Sequence, residues 1–165
     1  MVRQQLNGVF QYLQDNDFED VKEANIKNRH FIFIDECAQL SSHGEKDDEL
    51  KKLKIECEGI MSEIARMGRA AGFYIIYSTQ YPTAEVLSTQ IKQQCDARVC
   101  LRVKNDYASK VVLDEDGAEK LPPIKGRAIF QTFENVMVQV PYITNEYIKG
   151  VVENVQQSAN SRIGK

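Results

Sequence analysis

No run of apolar residues in this sequence approaches the roughly 20 that a membrane-spanning helix needs, and its first residues lack the basic, apolar and small-residue order of a secretory signal. The residues therefore read as soluble and cytoplasmic, without membrane contact of their own. Charge of one sign is also scarce: 21 Lys and Arg against 24 Asp and Glu leave −3. There is no general basic footprint, so contact with nucleic acid would need a local patch or several assembled copies. Lys104, Lys110, Lys120 and Lys125 are interspersed with Asp106, Asp114, Glu115, Asp116 and Glu119, the pattern of a solvated loop. Cys37, Cys57, Cys95 and Cys100 contain no C-x-x-C pair, and His30 and His43 are not at metal-ligand spacing from them, which argues against structural zinc. Cys37 and Cys100 fall in apolar strand-like runs, as reduced, buried thiols do. Repeats, low-complexity stretches and linkers are absent, so the 165 residues, 42% apolar and 27% charged, read as a single domain, 1–165, with one core.

What is present is an alternation of periods. Leu6, Val9, Phe10 and Leu13 share one helical face before Asp15, Asn16 and Asp17 break the pattern. Phe31-Ile32-Phe33-Ile34 is short, β-branched and aromatic, and reads as a strand buried on both faces. Leu50, Leu53, Cys57, Ile60, Met61 and Ile64 form the apolar stripe of a long helix within Glu45 to Ala71. A second buried strand, Phe73 to Ser78, follows, and then a helix from about Ala84 to Gln94 and a third strand, Arg98 to Val103. Strand–helix alternation of this kind predicts right-handed crossovers and a mostly parallel α/β sheet. Arg127 to Thr132 and Val136 to Pro141 read as a hairpin turning at Glu134-Asn135. A last helix, N-capped by Thr144, is expected to bury Ile148, Val151, Val152 and Val155, with a frayed tail from Gln156 to Lys165.

The first strand ends in two acids, Asp35-Glu36. Carboxylates at the C-terminal edge of such a strand stand where open α/β sheets bind ligands. In nucleotide-hydrolysing sheets the first acid holds the magnesium shell and the second polarises the attacking water. Strand-end acids also simply cap the next helix or face solvent. A metal-dependent hydrolase site would need further converging acids or histidines, which the spacing of His30 and His43 does not supply.

The stretch Ile64-Ala65-Arg66-Met67-Gly68-Arg69-Ala70-Ala71-Gly72, followed by a strand running into Ser78-Thr79-Gln80-Tyr81-Pro82, resembles the signature of the FtsK/SpoIIIE family. Ile91-Lys92, Ala97-Arg98-Val99, Ser109, Leu113-Asp114 and Gly117 to Leu121 are similar to that family in the same order, so the resemblance runs from about Asn28 to Val155. It implies a RecA-like sheet flanked by helices, with a C-terminal hairpin and helix: the Walker B side of a P-loop NTPase motor. It further implies ATP and Mg2+ as cofactors, Asp35 as the magnesium residue acting through water, Glu36 as the base, Thr79 at the nucleotide and Gln80 as the polar sensor. Arg69 matches the family arginine that reaches a neighbouring subunit's nucleotide, a task suited to a guanidinium; Arg66, one turn earlier, is its alternative. Partners implied for a parent protein are double-stranded DNA and copies of itself in a ring of six, anchored at the inner face of a bacterial membrane.

The phosphate loop that such ATPases need, G-x-x-x-x-G-K-S/T, is absent: Gly164-Lys165 has no following hydroxyl. The chain therefore reads as an incomplete P-loop domain, inactive alone, whose parent is an ATPase. Lys125-Gly126-Arg127-Ala128-Ile129-Phe130 stands where chromosome pumps tend to have Gly-Asp, so the chain looks more like conjugative coupling ATPases or type VII secretion ATPases. A DNA-moving coupling ATPase is the expectation, with a protein-exporting ATPase and a degenerate motor domain kept for docking as alternatives.

Overall fold

A computed structural model of the chain describes residues 1–87 and 89–163, the side chains of 89, 90 and 158–163 excepted. The elements are α1 (Val2–Asp15), β1 (His30–Ile34), α2 (Asp48–Met67), β2 (Phe73–Tyr77), α3 (Thr89–Gln93), β3 (Arg98–Leu101), α4 (Asp106–Leu113), β4 (Arg127–Gln131), β5 (Asn135–Gln139) and α5 (Asn145–Ile163).

β1 and β2 pair in parallel, His30 opposite Phe73 and Ile34 opposite Tyr77. α2 is the crossover between them. Asp47 caps it, accepting from the Glu49 and Leu50 amides at 2.9 Å each, which satisfies two of the free donors of its first turn. Its other end is fixed by close approach: a Cβ on Gly68 would stand 2.5 Å from the Ile64 carbonyl oxygen and 2.9 Å from that of Phe73. Leu6 of α1, Ile64 of α2, Ala71 and Phe73 then close the first core, with Val9, Phe10, Ile32 and Ile60 around it.

β3, β4 and β5 form a second sheet, antiparallel throughout, in that order. Cys100, Leu113, Ala118 and Leu121 make its core. Fully buried Ser109 organises the turn beside it, donating to the Glu115 carbonyl at 2.9 Å and accepting from the Ala118 amide at 3.1 Å. Asp114 ends α4 in the left-handed region at φ 64°. There its carboxylate holds Lys92 and Arg98 at 2.5 Å each, tying α3 and β3 to α4. Four cysteines are free, and Cys37 and Cys100 are buried as expected; burial pushes the Cys100 thiol up to about 11.

The α/β class, the parallel pair and the C-terminal hairpin and helix are as the sequence implies, but the hairpin turns over 132–134 rather than at Glu134-Asn135, because Asn135 already pairs with Gln131. The third strand differs in its pairing, joining β4 rather than the parallel sheet. The helix expected over Ala84 to Gln94 is reduced to the five residues of α3, too short to cover a parallel crossover. A turn at Thr83 precedes it, and Ser88 lies outside the described residues. Strands read as buried on both faces are buried on one: Phe31, Phe33 and Ile76 are exposed. The reason is stoichiometric, since α1 and α2 pack on one face of the parallel pair and no described element packs on the other. The same holds for Leu50, Leu53 and Cys57 of α2, and for Ile148, Val151, Val152 and Val155 of α5, all exposed rather than buried. Thr144 does cap α5, accepting from the Tyr147 amide at 3.2 Å. The tail read as frayed is helical through Ile163, and Gly164 and Lys165 lie outside the described residues.

Candidate functional site

Parallel pairing continues past the ends of β1 and β2 and builds the site. The Ser78 amide donates to the Ile34 carbonyl at 2.8 Å, and the Cys37 amide donates to the Ser78 carbonyl at 2.9 Å. Asp35 and Glu36 are therefore held in register beside Ser78, Thr79 and Gln80. Strand alternation points Asp35 outward, exposed, while Glu36 is half-buried against the second strand.

Glu36 is gripped from three directions. The Thr79 hydroxyl and the Ala38 amide donate to Oε1, the latter at 3.3 Å, and the Gln80 amide donates to Oε2 at 2.9 Å. The Thr79 hydroxyl, then the Gln80 amide, hold the carboxyl below the usual glutamate range, against a smaller opposing effect of burial. The acid is thus ionised and aimed, because donors to the charged form favour it. The Ala38 bond also makes Glu36 the cap of the one-turn helix Cys37–Leu40, so the plainer capping role and a site role coexist in one side chain.

Thr79 is itself fixed from both sides, accepting from the Tyr81 amide at 3.0 Å. Ser78, which motif reasoning passes over, donates its hydroxyl to the Asp35 carbonyl at 2.5 Å and lies 3.4 Å from Asp35 Oδ1. Its signal is its place in Ser78-Thr79-Gln80, directly across from the acidic pair. The Gln80 side chain is exposed at the same sheet edge.

Arg69 is not in this cluster. It precedes β2, at the opposite end of the strands from Glu36, a separation of roughly 16 Å along five strand residues. Its guanidinium is 83% exposed and faces Asp96 at 3.7 Å, a surface pair worth little. Arg66 is also exposed, in the last turn of α2. Neither arginine reaches Glu36 of its own chain.

Among the described residues no group of three or more His, Cys, Asp or Glu converges to hold a metal, and no helix is long and apolar enough to cross a membrane. What the donor set does fit is Mg2+, which keeps several waters and takes one or two carboxylates plus phosphate oxygens. Asp35, exposed and neighboured by a hydroxyl, is such a carboxylate.

No family model matches the chain. It is 33% identical over 129 residues, 76% of its length, to the DNA translocase FtsK of Leptospira interrogans serogroup Icterohaemorrhagiae serovar copenhageni (strain Fiocruz L1-130), and 35% identical over 128 residues to that of Helicobacter pylori (strain J99). The pCW3 conjugation coupling protein TcpA, solved in a monomer form with ATPγS, superposes on 87% of the chain with a TM-score of 0.80 and 30% identity. The chain belongs to the FtsK/SpoIIIE family. The type VII secretion ATPase EccC of Thermomonospora curvata shares the fold, with a TM-score of 0.69 over 86% of the chain at 19% identity; the chain covers 17% of EccC. It spans 13% and 14% of the two FtsK relatives and 42% of TcpA, so it matches one segment of each of these proteins. Within that segment the Ser109, Asp114 and Gly117 positions prove to be folding residues, whereas Asp35, Glu36, Thr79 and Gln80 share one sheet edge.

Proposed function

We propose that this chain is the water-activating side of an ATP-driven DNA translocase motor, serving as a coupling ATPase in conjugative transfer, and that it binds and hydrolyses ATP only within the full motor. The observation that carries the proposal is the clasp of Glu36 by Thr79 and Gln80. It joins the acid that would polarise the attacking water to the strand end that would sense the γ-phosphate, so movement of one displaces the other.

In this reading Glu36 stays ionised and orients water, Asp35 holds the water shell of Mg2+, and Thr79 keeps Glu36 in place beside the nucleotide. The Gln80 amide orients water without adding charge. Bound Mg2+ would supply charge neutralisation at the phosphates. Arg69, remote from its own Glu36, serves a neighbouring copy's nucleotide across a ring of six, with Arg66 as the alternative. The parent is cytoplasmic and held at the inner face of the cell membrane. The likeness to TcpA at 30% identity supports a conjugative role over protein export, for which only fold-level likeness speaks.

Cargo is tested by filter binding of the parent to double-stranded DNA over a salt series. A DNA motor shows affinity that falls steeply as salt rises, through counterion release; no salt-dependent affinity contradicts the DNA reading.

A further inference from the structure

β5 is the free edge of the antiparallel sheet. Its residues Asn135-Val136-Met137-Val138-Gln139 carry no charge, and Val136 and Met137 are 50% and 57% exposed. Natural edge strands are normally blunted by charge, proline or a covering element. Here Pro141 stops the strand only after its end, and α5 from Asn145 to Gln157 is exposed apart from Gly150, so it does not cover the edge.

The direction of the free backbone groups follows from the hairpin. The Val140 amide donates to Gly126 and the Thr132 amide to Glu134. With Ala128 opposite Val138 and Phe130 opposite Val136, the even-numbered residues of β5 bond to β4, because bonded and non-bonded pairs alternate. Asn135, Met137 and Gln139 therefore turn their N–H and C=O groups outward.

We propose that β5 pairs antiparallel with β5 of a second copy, about a two-fold axis at Met137, joining the two antiparallel sheets into one. About that axis Met137 meets Met137, Asn135 meets Gln139, and Val136 meets Val138. Every outward backbone donor finds an acceptor, and apolar side chains oppose apolar ones. Charge fits as well. Gln139 lies beside Arg127 in the register, and Asn135 is hydrogen-bonded through its side chain to Glu115. The pairing puts Arg127 of one copy in the same cross-strand row as Asn135 of the other, whose side chain bonds Glu115, at both ends of the seam.

This two-fold contact uses one patch on both copies, unlike the head-to-tail contacts that close a ring, and it stands independently of the motor reading. A five-residue seam is smaller than the about 1,200–2,000 Å² interfaces of stable complexes, so the association is reversible.

The test is sedimentation equilibrium of this chain across a concentration series, with Met137→Pro and Met137→Lys. Proline removes an N–H that points away from β4 and leaves the hairpin bonds intact; lysine sets two like charges opposite each other on the axis. The proposal expects concentration-dependent dimer for the unmodified chain and monomer for both variants, with unchanged far-UV circular dichroism. If proline alters folding, the lysine variant decides. A chain that stays monomeric throughout the series, or a dimer that persists in the folded variants, overturns it.

Discussion

Replacing Gly68 with alanine sets two physical effects against each other. Gly68 has ordinary right-handed helical angles, φ −58° and ψ −30°, so propensity alone predicts that alanine stabilises the helix end by about 1 kcal/mol. The new Cβ, however, falls 2.5 Å from the Ile64 carbonyl oxygen and 2.9 Å from the Phe73 carbonyl oxygen. Both are backbone atoms, so relief requires the last turn of α2 to open at Ile64 and to move away from the start of β2. Overpacking of this kind costs about 1–3 kcal/mol, and the net effect is a loss of up to about 2 kcal/mol once the propensity gain is subtracted. In urea denaturation followed by circular dichroism, the midpoint falls by up to about 1 M at an ordinary slope for this size. Gly59 supplies the control: it lies inside α2, and a methyl group there would have nothing within 4 Å, so Gly59→Ala raises stability by about 1 kcal/mol. If Gly68→Ala stabilised the protein as Gly59→Ala does, the close contact of α2 with β2 would be wrong.

Ser109→Ala removes a hydroxyl that bonds both the Glu115 carbonyl and the Ala118 amide; leaving these groups unpaired in a buried turn costs about 1–3 kcal/mol, read as a lower urea midpoint. Thr79→Val deletes the largest cause of the lowered Glu36 pKa, so NMR titration of the Glu36 carboxyl moves toward the ordinary glutamate value; an unmoved titration contradicts the clasp. A depressed folded-state pKa stabilises above the unfolded value and the benefit is lost as pH falls through the folded one, so the gap between the unmodified chain and Thr79→Val, read by urea unfolding, narrows in acid.

Much of this is legible in sequence because it is local. Period distinguishes α2 from β1 and β2, Thr144 marks the start of α5, and the acidic pair announces a strand end. The clasp is not legible, because Thr79 and Glu36 are 43 residues apart and only parallel register brings them together. Apolar spacing in Leu50, Leu53, Ile148 and Val152 correctly marks faces, but a face does not say what covers it. Alternation alone puts the third strand in the parallel sheet, yet alternation carries no information on the partner when the intervening helix has five residues. Arg69 shows the converse: its motif marks it as a site residue, yet the fold sets it at the far end of the sheet, facing Asp96 on the surface.

The central claim is that Glu36, held by Thr79 and Gln80, activates water in an FtsK/SpoIIIE motor. Its most direct test is ATP hydrolysis by a parent carrying a phosphate loop, with and without Glu36→Gln, alongside nucleotide binding. Hydrolysis is expected to fall by about 10²-fold or more, the scale of a lost general base, with binding retained. Hydrolysis at the unmodified rate contradicts it.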